Sequence, residues 1–148
     1  MAASQIGLDA VFHTDDQGAG GGTWVVVDGV GDVTINQTRN TATRKDRSLD
    51  YETYHAGQRV ISVDATLTFE AGDTQMEEIR DAFTAGSDIG IGVMHTAIAT
   101  VGSEGLIMDA KVTNFTRNEA LEGVIAFDCT FVPSGDSTYA LTYAEVSA

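Results

Sequence analysis

Three stretches of this chain alternate apolar and polar residues with a period of two. From Gln58 to Glu70, one parity holds Ile61, Val63, Ala65, Leu67 and Phe69. The other parity holds Ser62, Asp64, Thr66, Thr68 and Glu70. From Leu106 to Thr116, Leu106, Met108, Ala110 and Val112 alternate with Ile107, Asp109, Lys111 and Thr113. From Leu121 to Val132 the apolar parity is Ile125, Phe127, Cys129 and Phe131, with Asp128 and Thr130 opposite. Such alternation predicts antiparallel strands with one face on a core and one face in water. Shorter strands are expected at Ile6–Phe12, Trp24–Val27, Asp32–Thr38 and, interrupted by glycine, Asp88–Thr96.

The period changes once. Met76, Ile79, Ala82 and Phe83 form a helical stripe over Thr74–Ala85. Asp73 or Thr74 is placed to cap its start, Glu77 and Glu78 favour the first turn electrostatically, and Gly86 ends it. Turn-rich composition predicts a loop over His13–Thr23 and a turn at Asp28-Gly29. Arg39–Ala56 lacks apolar periodicity and reads as a long loop, a kind that is uncommon in compact domains and usually functional or disordered. Ser137–Ala148, with Tyr139, Leu141 and Tyr143 in alternation, reads as an edge strand or an arm reaching a neighbour. The expected fold is mainly β within the α+β class. It is an antiparallel sandwich or partial barrel with one flanking helix, in a single domain spanning residues 1–148.

Charge changes this picture. The 148 residues carry a formal −14, yet five of the eight basic residues lie between Arg39 and Arg59. An acidic body with one basic, poorly self-burying segment complements another copy of itself, head to tail, and such contacts make rings or filaments. Exposed ion pairs contribute only about 0–1 kcal/mol each. The charges therefore set register, and apolar anchors supply affinity. Tyr51 and Tyr54 beside Arg39, Arg44, Lys45, Arg47 and Asp50 suit a protein interface, where Tyr and Arg are enriched. They also suit base stacking, but the net charge disfavours stable nucleic-acid binding. No apolar run spans a bilayer and no secretory signal is expected.

Candidate chemistry is sparse. Cys129, the single cysteine, excludes an intrachain disulfide and reads as a buried core thiol. His13, His55 and His95 have no ligand-type spacing. Gly18–Gly22 lacks the Lys-Ser/Thr of a phosphate loop. Asp28–Asp32 lacks the remaining ligands of a calcium loop. Asp64, Asp109 and Asp128 are mid-strand carboxylates with no accompanying base or nucleophile. Neither an enzyme activity nor a cofactor is expected.

In order and spacing, these elements resemble the tail tube (major tail) proteins of long-tailed bacteriophages and related gene-transfer particles. The resemblance runs from about Trp24 to Val132. It is carried by Trp24-Val25-Val26-Val27-Asp28-Gly29-Val30-Gly31-Asp32-Val33, by the polar loop ending Tyr51-Glu52-Thr53-Tyr54-His55-Ala56-Gly57, and by the strand Val60–Phe69. The helix from Asp73-Thr74-Gln75-Met76 to Ala82-Phe83-Thr84-Ala85-Gly86 and two closing strands complete it.

The resemblance implies hexameric rings stacked into a hollow tube whose inner wall is a continuous β-barrel with helices outside. It implies that residues 39–57 reach the adjacent ring. Ser62, Asp64, Thr66, Thr68, Asp109, Lys111, Thr113, Asp128 and Thr130 would then face the lumen, with Lys111 pairing to a nearby aspartate. Implied partners are further copies, a tape-measure protein, tail terminator and distal tail or baseplate proteins, and double-stranded DNA passing through. The implied location is the virion tail, after assembly in the host cytoplasm. Two alternatives stand beside this one: the inner tube of a contractile secretion or tail-like device, and a monomeric β-sandwich module binding an acidic ligand through Tyr51, Tyr54 and the arginines. A hydrolase using Asp64 or Asp128 has the least support.

Overall fold

The computed structural model describes residues 11–15, 18, 22–69, 72–98, 100–119, 121–137, 139 and 141–146. Eight strands and one helix follow in the order β1 (Val11–Asp15), β2 (Val25–Val26), β3 (Val30–Arg44), β4 (Thr53–Thr68), α1 (Thr74–Ala85), β5 (Ile89–Met94), β6 (Glu104–Glu119), β7 (Ile125–Pro133) and β8 (Thr142–Glu145). All pairings are antiparallel. The spatial order is β2-β1-β5-β6-β7-β4-β3, and β8 lies beside β6.

The sixteen-residue β6 is the spine. Its first half pairs with β5 on one edge and with β8 on the other; its second half pairs with β7. The sheet folds about this strand. Phe12 of β1 meets Phe131 of β7 with ring centroids 5.7 Å apart, although two strands separate β1 from β7 in the sheet order. Two half-sheets thus enclose one core, the expected sandwich closing toward a barrel. Val63, Leu67, Ile91, Leu106, Met108 and Phe131 are essentially water-free there. Each such large apolar side chain contributes about 1.5–3 kcal/mol by leaving water.

The helix lies where its stripe predicts. Met76, Ile79 and Ala82 enter the core, and α1 packs chiefly on β6. Asp73 caps it by accepting the Gln75 N–H at 3.1 Å. Gly86 ends it in the left-handed region, φ 68°, where a residue with a Cβ would be strained.

Three expectations change. The first strand does not give way to a loop at His13; His13, Thr14 and Asp15 belong to β1 and are buried. The part of that expected strand before Val11 lies outside the described residues. His13 is held by Nδ1 against the Gly92 carbonyl, 3.3 Å, while Nε2 accepts the Ile98 N–H, 3.2 Å. One donor and one acceptor fit the neutral ring. Burial holds its pKa below the usual histidine value, against smaller upward effects of backbone hydrogen bonds at Gly92 and Val11.

Second, the long loop at 39–56 is mostly ladder. β3 continues to Arg44 and β4 starts at Thr53, so only residues 45–52 turn. Its Thr-rich strands supply β propensity, but no core lies beneath them, so apolar alternation is missing. Third, β6 carries a bulge between Val112 and Asn114. Thr113 is the extra residue, and parity reverses after it. Phe115 therefore joins Val112 on the core side. Of the two readings of the tail, edge strand or arm, Thr142–Glu145 take the first: they form β8, paired to Glu104–Ile107 along the sheet.

Candidate assembly interface

Four strands, β3, β4, β7 and the second half of β6, carry a continuous polar face. The register sets Thr34, Asp64, Thr130 and Asn114 in one row, and Thr66, Asp128 and Thr116 in the next. The side chains bond to each other across strands. Asp64 accepts from Asn36 Nδ2 at 2.9 Å and from Thr130 Oγ1 at 2.8 Å. Asp128 accepts from Thr66 Oγ1 at 3.1 Å and from Asn118 Nδ2 at 2.7 Å. Each carboxylate is thus fixed by two donors, in a lattice that orders the wall. Asp64 and Asp128 remain exposed, and the helix lies on the opposite, apolar side. This is the uncovered hydrophilic face the alternation predicts.

The expected lumen set divides in two. Ser62, Asp64, Thr66, Thr68, Asp128 and Thr130 share the open face, flanked by the bulged Thr113, which donates to the Thr130 carbonyl at 3.4 Å. Asp109 and Lys111 lie apart, on the half of β6 before the bulge. Asp109 is half-buried against Gly18 and accepts a hydrogen bond from Ser137 Oγ. Lys111 Nζ pairs with Asp88 at 2.9 Å and Asp136 at 2.8 Å, and donates to the Gly86 carbonyl at 3.0 Å. Hydrogen bonding to Asp136, then to Asp88, raises its pKa. Burial would raise Asp88, but the bonds from Ser134 and Lys111 outweigh it and leave it below the ordinary value. The aspartates expected beside Lys111 are therefore its own chain's. Thr34, Asn36, Asn114, Thr116 and Asn118 also join the face. The signal for the last three is the three-residue step from Val112 to Phe115, too long for one strand parity without a bulge.

Both lateral borders of this face are unpaired among the described residues. β3 pairs only with β4 along its fifteen residues. On the other side β5 stops at Ala110, leaving 111–119 of β6 open on that edge. Exposed edges of this length are templates for pairing with another chain.

The hairpin of outer β3 and β4 projects beyond the core; no residue from 54 to 60 is buried. A bulge sets Gly57 and Gln58 opposite Asn40. A Cβ at Gly57 would lie 2.9 Å from the Asn40 carbonyl oxygen, and Arg39 donates to the Gly57 carbonyl at 2.9 Å. At the tip, Arg44 pairs with Asp46 at 3.2 Å and Lys45 with Glu52 at 3.1 Å. Hydrogen bonds from Ser48, then from Arg44, hold the Asp46 carboxyl below its usual range. Arg47 and Asp50 are exposed, and Tyr51 and Tyr54 are 63% and 64% accessible. The structure thus gathers Arg39, Arg44, Lys45, Arg47, Asp50, Tyr51 and Tyr54 on one projecting element.

At the other end of β4 lies an aromatic groove. Phe115 and Phe127 stack at 4.7 Å, with Phe83 and Phe69 at the two ends of the row. The Arg117 guanidinium covers Phe69 and Phe127 at 5.5 and 5.9 Å. A cleft of about 480 Å³ opens between these rings and the start of α1.

This combination of an open sheet, one helix and a projecting hairpin is the tail tube fold. The chain superposes on the tail of an empty gene transfer agent particle, refined with C6 symmetry, with TM-score 0.75 and 19% identity, covering 95% of this chain and 99% of that one. It also matches the SPP1 tail tube, TM-score 0.74 and 11% identity over 98% of this chain and 81% of that one. A more distant likeness is to the anti-feeding prophage baseplate, six-fold symmetrised, TM-score 0.65 and 6% identity over 99% and 98% of the two chains. No protein-family profile and no curated protein sequence matches the chain. Among the described residues, no group of three His, Cys, Asp or Glu side chains is placed to hold a metal ion.

Proposed function

We propose that the protein is a structural virion subunit that polymerises into stacked six-membered rings, forming a hollow tail tube through which double-stranded DNA passes. The observation that carries this reading is the four-strand polar face, left open and bounded by two unpaired edges among the described residues. In a ring, the outer edge of β3 meets the open edge of β6 in the next copy, and the sheets close into a water-filled barrel. Each copy then contributes Asp64 and Asp128 to the wall, and neither carries a basic partner among the described residues. Such a wall repels phosphates, so DNA slides without being held. The hairpin extends from the ring toward its neighbour. Further partners in this reading are a tape-measure protein, a tail terminator and distal tail or baseplate proteins, with assembly in the host cytoplasm and final residence in the tail.

Two measurements test it. Light scattering over a concentration series yields long particles, visible as tubes by negative-stain microscopy; a constant monomer mass instead selects the β-sandwich binding module. Replacing Arg44, Lys45 and Arg47 together by Glu blocks tube growth while leaving a folded subunit. Ordinary tubes from that variant remove the hairpin from the assembly mechanism. The likeness to the anti-feeding prophage baseplate supports a second reading, the inner tube of a contractile device. A sheath gene beside this one selects it.

A further inference from the structure

The hairpin tip and the aromatic groove occupy opposite ends of β4. The tip ends at Glu52, just before the strand; Phe69 follows directly after it. Sixteen residues of strand hold them apart, about 50 Å at roughly 3.3 Å per residue. Their chemistries are complementary. The tip presents exposed Leu49, Tyr51 and Tyr54. Residues 39–59 hold five basic and three acidic groups, net +2, whereas the rest of the chain holds three basic and nineteen acidic, net −16. Arg47 has no ionic partner among the described residues. At the groove, Phe69 is 39% accessible, and Asp73 and Glu77 line the rim. The basic residues there are already engaged, Arg80 with Asp81 at 3.4 Å and Arg117 with Glu119 at 2.5 Å. Glu77 has no ionic partner among the described residues.

We propose that the hairpin tip of one copy seats in this groove of a copy in the adjacent ring, Tyr51 and Leu49 against the Phe69–Phe127 aromatics and Arg47 toward Glu77. The inference rests on the tube reading above and adds to it the receiving surface. Each contact consumes one tip and one groove and leaves a groove free at one end of the stack and a tip free at the other. Such a heterologous contact propagates without closing and gives the tube a direction. Burying tyrosine and leucine on phenylalanine supplies affinity; the exposed ion pair selects register.

A chain carrying Asp50→Cys and Thr74→Cys, exposed neighbours of the tip tyrosine and of the groove rim that the contact itself does not use, tests this with a short bismaleimide. Cys129 does not compete, because burial, then the nearby Asp128 charge, pushes its thiol up to about 12. Assembled tubes of the double variant should give a ladder of covalent multimers on a denaturing gel, and a mixture of the two single variants should stop at dimers. Tubes without a ladder overturn the docking while leaving the tube reading intact. Arg47→Glu and Glu77→Arg should each lower tube yield at least tenfold, and their combination should restore it; two weak singles with no rescue also overturn it. Absence of tubes from the unmodified chain under every condition removes the tube reading itself, and the docking with it.

Discussion

The two halves of β4 share one backbone ladder and have different reasons to be ordered. From Ile61 to Thr68 every second side chain is buried; from Tyr54 to Val60 none is. The boundary falls between Val60 and Ile61, just past the Gly57 bulge; on its outer side the strand has left β7 and keeps only its partner β3. An isolated two-stranded ribbon is marginal in water. The inner half is thus stabilised by the subunit's core, whereas the outer half has only its ladder with β3. In the proposed tube, the same division separates what folds the subunit from what contacts other copies.

Substitutions should separate the halves most sharply in the core. Leu67→Ala or Phe131→Ala should cost about 3–5 kcal/mol of subunit stability, read from denaturant midpoints, since both side chains are essentially inaccessible. If Tyr54→Ala cost as much in the dispersed subunit, the comparison would break. Next in size, Asp73→Ala should cost about 1 kcal/mol by removing the cap of α1, again in the dispersed subunit. The triple charge reversal at Arg44, Lys45 and Arg47 should change subunit stability by no more than about 0.5 kcal/mol, since its ion pairs are exposed, while abolishing tubes.

Acidification probes β1. Buried His13 stays neutral in the folded chain and takes up a proton when unfolded. The unfolded state therefore binds more protons as pH falls below the ordinary histidine value, and stability should decline there. His13→Gln should flatten that part of the pH profile. At alkaline pH the sign reverses for Cys129: the folded thiol keeps its proton to about 12, the unfolded one loses it near its ordinary value, and stability falls as pH rises past that value. Thiol labelling at neutral pH should accordingly track unfolding, and labelling of the native subunit at the rate of a free thiol would contradict the burial. The smallest effect is expected on the open face. Asp64→Asn with Asp128→Asn should leave subunit stability within about 0.5 kcal/mol and tube formation intact, because the lattice of donors tolerates a neutral amide at exposed positions. Loss of tubes from that pair would show that the face makes subunit contacts.

The helix and the inner strands were legible because their reason is local. A 3.6-residue stripe with Asp73 before it and Gly86 after it has one reading. So does the alternation of Ile61, Val63, Ala65 and Leu67, since its other parity has only polar groups to offer a core. The hairpin and β1 were not legible for a related cause. Periodicity records burial on one side, and the outer hairpin is buried on neither side, while His13-Thr14-Asp15 is buried with polar side chains, His13 bonded to Gly92 and Ile98 and Asp15 to the Thr23 N–H.

By itself, then, the order of residues determined the elements that carry their own apolar face, the acidic body and basic segment, and the existence of a hydrophilic sheet surface. Only the tertiary structure decided which polar residues share that surface. The Thr113 bulge shifts parity and brings Asn114, Thr116 and Asn118 beside Asp128, and the segment 134–137 draws Asp109 and Lys111 away. The physical reason is that strand parity is a local property, whereas bulges, register and the covering of one segment by another depend on contacts between residues far apart in the chain.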